Sequence, residues 1–141
     1  MPVDKVKIAR QFIETIPHSK ALGMDITHLG DGLAEITMPY DERFIGDPKT
    51  RVIHGGAVSA LMDTCGGAAV MSHSDAPAGT ATIDLRIDYM RAATPGLPIR
   101  ARAEVYHITR SVAFVRAAAY DSDDEARPVA MATGAFTVEG R

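Results

Sequence analysis

Residues 52–73, VIHGGAVSALMDTCGGAAVMSH, leave this chain few ways to fold. Between Gly55 and Met71 the segment contains one charged side chain, that of Asp63. A helix that is apolar on every side is normally buried, so other parts of the chain must surround it. The segment is too short and too rich in Gly, Ser and Thr to cross a membrane. It predicts a buried central helix over residues 55–73, whose lone carboxylate is costly unless it is paired, protonated or used in chemistry.

Strand-like segments make up most of the chain on both sides of this helix. Residues 24–39 contain two of them, separated by Gly30-Asp31-Gly32, which is a typical hairpin turn. The segment Thr80–Met90 alternates apolar and polar residues, which is the period of a half-buried strand. Three further strands are predicted at 99–109, 112–120 and 128–138.

The order of these segments predicts an α+β fold. Consecutive strands with short connections favour an antiparallel sheet. The later strands carry many alanines, whose small side chains allow a sheet to curl closely around a helix. We therefore expect one strongly curved antiparallel sheet wrapped around one long central helix. Because such a sheet covers only one side of the helix, we expect a second copy of the chain to bury the other side, giving at least a dimer.

The N-terminal residues predict a second, amphipathic helix. Apolar residues within 3–16 fall near one face of a helix, and Pro17 ends the pattern. This helix, within residues 1–18, either covers the edge of the core or forms a flap over a pocket. The chain contains no repeat and no convincing linker, so residues 1–141 are expected to form a single domain.

Composition limits the expected partners. The 141 residues carry a net charge of −3, which gives no reason to expect nucleic acid or an anionic membrane as a partner. The single cysteine, Cys65, cannot form an internal disulfide, and the N-terminal MPVDKVKIARQF has no apolar signal segment. These features favour a cytoplasmic protein.

The start of the central helix predicts a binding site for an anion or for an oxygen that gains negative charge. His54-Gly55-Gly56 lies where the helix begins, and glycine allows a ligand to approach the backbone closely. The first N–H groups of a helix have no partner within it, and the helix dipole is positive at this end. The sequence alone leaves open whether these glycines bind such an oxygen or serve packing only.

Asp63 is the second candidate for chemistry, as a nucleophile or as a general base. The alternative is a structural carboxylate, satisfied by a hydrogen bond at the sheet or at a dimer interface. Gly55 and Asp63 are about 12 Å apart along one helix, so one small reacting group cannot touch both in the same chain. If both act on one substrate, Asp63 must come from a neighbouring subunit.

Other catalytic classes have little support in the sequence. His54 and Asp63 lie about half a rotation apart around the helix axis, which argues against a Ser-His-Asp triad that uses Ser59. The chain also has no GxSxG motif. Its five histidines lack HExxH-type spacing, so no metal site is expected. The phosphate-binding patterns GxGxxG and GxxxxGK(S/T) are absent as well.

Several segments together resemble one family. The pattern Gly46-Asp47-Pro48, then Val52-Ile53-His54-Gly55-Gly56, then Asp63 is similar to the signature of hotdog-fold thioesterases of the phenylacetate-degradation, or PaaI-like, group. The resemblance covers roughly residues 20–138. It implies a hotdog fold and a hydrolase of acyl-CoA thioesters, built as a dimer that often pairs into a tetramer and needing no metal or redox cofactor. The later segments that agree with it are Thr82-Ile83-Asp84-Leu85, Asp88-Tyr89-Met90-Arg91 and Val105…Arg110-Ser111-Val112.

The resemblance also implies roles for individual residues. The Gly55 N–H donates to the thioester carbonyl, and Gly56 belongs to the same substrate-binding turn. Asp63 of the facing subunit acts as the nucleophile or as a general base on water, and Thr82 helps to place that water. His54 helps to hold the loop and the thioester.

Three further residues are assigned to substrate binding through the resemblance. Arg110 is the first candidate to contact the phosphates of CoA and Arg91 the second. The alternative for both is a solvated surface charge. Asp47 departs from the family pattern, because many members carry Asn at this position. An ionised Asp cannot donate a hydrogen bond and would place a second negative charge near Asp63. Either Asp47 points away, or one of the two carboxyls is protonated, or the activity is lowered or altered.

Two other functions stay open at this point. One is a hotdog-fold dehydratase or hydratase, which the spacing from His54 to Asp63 resembles less. The other is a non-enzymatic acyl-CoA binding protein, which the aspartate at position 47 makes plausible. Replacing Asp63 with alanine separates them, because an enzyme loses turnover and a binder has none to lose. The sequence does not select among aryl, short-chain and medium-chain acyl groups.

Overall fold

A computed structural model of the chain describes residues 5–75 and 77–140. The helices are α1 (Lys5–Thr15), α2 (Pro17–Ala21) and α3 (Gly55–Met71), with a short 3-10 helix at Glu42–Phe44. The strands are β1 (Asp25–Gly30), β2 (Leu33–Met38), β3 (Thr82–Tyr89), β4 (Ile99–Ile108), β5 (Val112–Tyr120) and β6 (Ala130–Thr137). None of the described helices is long and apolar enough to cross a membrane.

The strands form one antiparallel sheet in the order β1-β2-β4-β5-β6-β3. Three irregularities in the pairing register help the sheet to bend, since a bulge adds a residue to one strand and increases its local twist. They lie between Ile26 and His28, between Thr82 and Asp84, and between Val105 and His107. The predicted α+β class, a curved antiparallel sheet around one long helix, is confirmed, and it is the hotdog fold.

Helix α3 is buried against the concave face of the sheet. Leu61, Met62 and Cys65 have no solvent exposure at all. The facing strands present alanines such as Ala101 and Ala103, which are equally buried and allow the helix to lie close to the sheet. The helix ends at Met71, two residues before the predicted end of the segment at 73.

The N-terminal segment differs from the predicted single helix. Helix α1 ends at Thr15, before Pro17 as predicted, but Pro17 then begins a second short helix, α2. Proline is tolerated in the first turn of a helix, because the N–H that it lacks would have no helical partner there. Residues 1–4 of the predicted helix lie outside the described residues.

Strand β3 lies at one edge of the sheet and is more exposed than the predicted half-buried strand. Its apolar residues Ile83 and Tyr89 are 57% and 51% exposed. The alternation of apolar and polar residues is present, and Leu85 and Ile87 are half-buried against the core, so the exposed apolar side chains lie towards the two ends of the strand. An exposed strand edge with apolar side chains is a surface suited to pairing with another chain.

Candidate active site

The loop before α3 is folded so that His54 caps the helix. The His54 N–H donates to the carbonyl of Phe44 at 2.7 Å, and its Nδ1 accepts the N–H of Gly56 at 2.8 Å. Gly46 packs against this histidine, where an added Cβ would come within 2.9 Å of the His54 Cα, so the close approach requires glycine. These contacts hold the loop against the start of α3.

The two glycines at the start of α3 differ in the partners of their N–H groups. The N–H of Gly56 is taken by His54, whereas the N–H of Gly55 has no hydrogen-bond partner within the described chain. Gly55 lies at the positive end of a 17-residue helix. Its N–H is therefore the group in this turn that can donate to a ligand oxygen.

Tyr89 holds the same turn from the sheet side, which the sequence analysis missed. Its hydroxyl donates to the carbonyl of Gly55 at 2.8 Å, which ties the end of β3 to the start of α3. Its ring lies beside Gly55, where an added Cβ would meet ring atoms at 3.5 Å. The alternation pattern grouped Tyr89 with the apolar residues of β3, and nothing in that pattern signals a hydroxyl that reaches a helix.

Asp63 and Thr82 form a hydrogen-bonded pair. The Thr82 hydroxyl donates to Oδ1 of Asp63 at 2.6 Å. Among the described residues, the other carboxylate oxygen of Asp63 has no hydrogen-bond partner. The pair therefore offers one free carboxylate oxygen next to a hydroxyl oxygen that can still accept a hydrogen bond. A water molecule held by both groups would be oriented for attack on a carbonyl.

Gly55 and Asp63 lie on one continuous helix, so the structure does not bring them together within one chain. They are eight positions apart along the helix, which corresponds to about 12 Å. The pair of Asp63 with Thr82 and the free N–H of Gly55 are thus two separate parts of the predicted site in the single chain.

Asp47 is engaged within its own loop. Its carboxylate accepts the N–H of Lys49 at 2.9 Å, and its carbonyl accepts the N–H of Arg51 at 2.7 Å. This arrangement is a turn closed by an aspartate side chain, which Asn would close equally well. The carboxylate of Asp47 is thus engaged within its own loop, and its effect on the catalytic carboxylate stays a prediction.

Comparisons with known proteins decide the family. The model of the thioesterase superfamily matches residues 51–127, which include His54, Asp63 and Thr82. The chain belongs to the thioesterase superfamily. A candidate esterase of Halobacterium salinarum is 31% identical to it over 140 residues, covering 96% of this chain and 93% of that protein. The superfamily and this relative support a hydrolase.

Solved structures of similar proteins share the fold of this superfamily member. A protein from Pseudomonas aeruginosa is 35% identical, with a TM-score of 0.82 and coverage of 94% of this chain and 97% of that one. The PaaI protein from the phenylacetic acid degradation operon of Escherichia coli has a TM-score of 0.82 at 24% identity, covering 95% of this chain and 92% of that one. A mutant of the phenylacetic acid degradation protein PaaI from Thermus thermophilus is 26% identical, with a TM-score of 0.74 and coverage of 86% of this chain and 97% of that one. The predicted likeness to hotdog-fold, PaaI-like thioesterases is confirmed.

In this thioesterase-superfamily chain, Arg91 is committed to a buried carboxylate. Its guanidinium donates to both oxygens of Asp121, at 2.6 and 2.9 Å, and to the carbonyl of Arg127 at 2.8 Å. The Arg91 guanidinium, helped by the N–H of Thr94, holds the pKa of Asp121 well below its usual range, although burial opposes this. These contacts favour a structural role for Arg91 over contact with CoA phosphates.

Arg110 has a different setting. It lies in the turn between β4 and β5, is exposed, and forms no ion pair with any described residue. With Ser111, Val138 and Gly140 it lines a surface hollow of about 470 Å³. Its charge is therefore available to an anionic ligand.

Two other kinds of chemistry find no site in the described residues. Among 5–75 and 77–140, no three His, Cys, Asp or Glu side chains are grouped closely enough to hold a metal ion. Burial raises the pKa of Cys65 to about 12, so its thiol is not a nucleophile at neutral pH.

Proposed function

We propose that this member of the thioesterase superfamily hydrolyses acyl-CoA thioesters to a free acid and CoA. The observation that carries the proposal is the hydrogen-bonded pair of Asp63 and Thr82, because it places a carboxylate with a free oxygen beside a hydroxyl. The unpartnered N–H of Gly55 at the positive end of α3 supports it as the donor to a developing oxyanion.

The hydrolysis needs only water besides the thioester. In one route, Asp63 takes a proton from a water molecule while the water oxygen adds to the thioester carbonyl. The carbonyl oxygen becomes an oxyanion, to which the Gly55 N–H donates. Collapse of this intermediate breaks the bond between carbon and sulfur, and CoA leaves as the thiolate, which then takes up a proton. In the other route, the carboxylate of Asp63 attacks the carbonyl itself, the bond between carbon and sulfur breaks and CoA leaves as the thiolate, and water then hydrolyses the resulting anhydride to the free acid and Asp63.

The proposed site needs two chains. Because Gly55 and Asp63 of one chain are about 12 Å apart, the donor to the oxyanion and the carboxylate come from different subunits. The exposed apolar edge of β3 supports association, and Met90 next to it is 58% exposed. We propose a homodimer in which Asp63 and Thr82 face Gly55 of the partner, with pairing of dimers into a tetramer.

The remaining residues are proposed to hold the substrate. Arg110 would contact the CoA phosphates, since its charge is unpaired among the described residues and lies beside an open hollow. His54 and Gly56 fix the turn that presents the Gly55 N–H. Asp47 would shape the neighbouring loop through its bond to Lys49. Because CoA thioesters are intracellular metabolites, we place the activity in the cytoplasm.

The first experiment measures thiol release from a panel of aryl and aliphatic acyl-CoAs with the wild type, Asp63→Ala and Asp63→Asn. We expect wild-type turnover that falls by at least about 10³-fold in both variants, while binding of a non-hydrolysable CoA thioether changes little. Absence of wild-type turnover on every thioester, with the thioether still bound, would instead indicate a non-enzymatic acyl-CoA binder. A loss of melting temperature in Asp63→Asn without a selective loss of rate would make Asp63 a structural residue.

A further inference from the structure

A cleft of about 760 Å³ opens beside Asp63. One wall is helix α3, with Asp63, Gly67 and Met71, and the opposite wall is helix α1, with Ile13. Thr82 and Phe136 of β6 are also among its lining residues. The cleft therefore begins at the pair of Asp63 and Thr82 and runs from there along α3 and under α1.

The polar side chains that line this cleft are mostly satisfied within the protein. The hydroxyl of Ser72 donates to the carbonyl of Ala69 at 2.8 Å and accepts the N–H of Gly32 at 3.0 Å. Thr80 donates to the carbonyl of Thr137 at 2.7 Å. Because these groups are already bonded, the surface left for a ligand is largely apolar.

Two neighbouring glycines on α3, Gly66 and Gly67, differ in the space beside them. An added Cβ at Gly66 would lie 2.7 Å from the ring of Phe136, so packing explains that glycine. At Gly67 the first atom it would meet is Thr80 Cγ2 at 3.9 Å, and the backbone is ordinary helix. Glycine in a helix interior costs about 0.5–1 kcal/mol relative to alanine, and in this chain neither packing nor backbone conformation requires it at Gly67.

We infer that this cleft binds the acyl part of the thioester, that it selects apolar acyl groups larger than acetyl, and that Gly67 provides the room for them. The inference rests on the proposed function, since the reacting carbonyl is placed at Asp63. From that point the CoA part of the substrate, which is large and anionic, cannot enter an apolar cleft, whereas an alkyl or aryl group can. Occupancy by a partner subunit is the alternative that the experiment must exclude.

The experiment compares wild type, Gly67→Ala and Gly67→Leu on acetyl-, butanoyl-, hexanoyl- and phenylacetyl-CoA. Wild-type kcat/KM should rise about fourfold for each added methylene until the cleft is filled. In Gly67→Leu, kcat/KM should fall by at least about tenfold on hexanoyl- and phenylacetyl-CoA but by less than about threefold on acetyl-CoA. Gly67→Ala should show values between those of wild type and Gly67→Leu. Gly30→Leu is the matched control, because an added Cβ at Gly30 meets nothing within 4 Å and the residue does not line the cleft.

A binding measurement separates failure of this inference from failure of the proposed function. Hexyl-CoA and ethyl-CoA thioethers are titrated calorimetrically into wild type and Gly67→Leu, with the molecular mass of each protein measured in solution. If Gly67→Leu binds hexyl-CoA at least about tenfold more weakly than wild type but binds ethyl-CoA equally well, the cleft is supported as the acyl site even if no thioester is hydrolysed. The inference would be overturned if Gly67→Leu bound each thioether as tightly as wild type does. A changed molecular mass of Gly67→Leu would also overturn it.

Discussion

Two hydrogen bonds restrict what the individual site residues can do. His54 takes the N–H of Gly56, which leaves Gly55 as the donor at the start of α3. Thr82 gives its only hydroxyl proton to Asp63, so towards a water molecule it can act only as an acceptor. A water that donates one proton to Thr82 and the other to Asp63 directs a lone pair outward, as attack on a carbonyl requires.

Removing the hydroxyl of Thr82 tests this arrangement. Thr82→Val keeps the shape of the side chain but loses the hydrogen bond to Asp63, so we expect kcat/KM for acyl-CoA to fall about 10- to 100-fold. Thr82→Ser should retain most of the activity. Thr133→Val, an exposed change on β6, is the matched control for stability. Full activity in Thr82→Val would show that the hydroxyl does not place the attacking water.

The buried pair of Arg91 and Asp121 gives a prediction for pH. The pKa of Asp121 is depressed in the folded chain, so the pair stabilises the fold above the usual pKa of an aspartate, about 3.9, and loses this effect as the pH falls below it. At pH 7, Asp121→Asn should lower Tm by at least about 4 °C. In scans towards pH 3 the difference from wild type should shrink, and a difference independent of pH would contradict the assignment.

At the scale of elements, α3 lies close to the sheet where β6 passes Gly66. An added Cβ at Gly66 would lie 2.7 Å from the ring of Phe136, which is itself 1% exposed. One residue further along, Gly67 faces the open cleft. The same helix therefore has one face shaped by packing and another that borders empty space.

This contrast predicts opposite effects of two neighbouring substitutions on stability. Gly66→Ala should destabilise the fold by about 1–3 kcal/mol, since the new methyl group overlaps Phe136. Gly67→Ala should be neutral or stabilise it by up to about 1 kcal/mol, because it only removes the helix penalty of glycine. Urea unfolding of both variants checks this, and equal destabilisation by the two would mean that the space beside Gly67 is filled.

Element boundaries show how far local patterns could predict this fold. The uniformly apolar run at 55–71 and the hairpin at Asp31-Gly32 were predictable, because helix burial and turn geometry are local properties. The end of the first helix before Pro17 was predictable, but the second helix was missed, since a proline that ends one helix can equally begin the next. The exposure of β3 was missed because alternation shows which face is apolar but does not show what covers it.

The site was predictable only in part, for similar reasons. Asp63 stands out as the only charge in a buried helix, and the glycines stand at its start. The partner of Arg91 could not be foreseen, because Asp121 is thirty residues further along the chain and no local pattern joins them. The placement of Thr82 beside Asp63 came from the family resemblance, and Tyr89 was missed because its hydroxyl reaches across to α3.

For the whole molecule, the arrangement of the site and the open edge of the sheet lead to the same proposal. One chain holds the unpartnered N–H of Gly55 and, about 12 Å away along the helix, the carboxylate of Asp63. The β3 edge exposes apolar side chains that a second chain would cover. A symmetric dimer would bring the two parts together twice, with each chain contributing a different group to each site.

Two inactive variants can test whether the site is shared. Gly55→Pro removes the N–H at the first position of a helix, where proline is favoured, and the backbone of His54 before it, with φ −58° and ψ 133°, is compatible with a following proline. We expect Gly55→Pro to lower the rate about 10²–10³-fold, whereas Gly55→Ala keeps the N–H and most of the activity. Asp63→Ala removes the other half of the site.

The decisive measurement is the thioesterase rate of the two variants produced together in equal amounts. If each site takes Gly55 from one chain and Asp63 from the other, random pairing gives half mixed dimers with one intact site each. The mixture should then show about a quarter of the wild-type rate, although each variant alone is nearly inactive. A mixture as inactive as its two components would contradict the proposal that two chains share the site.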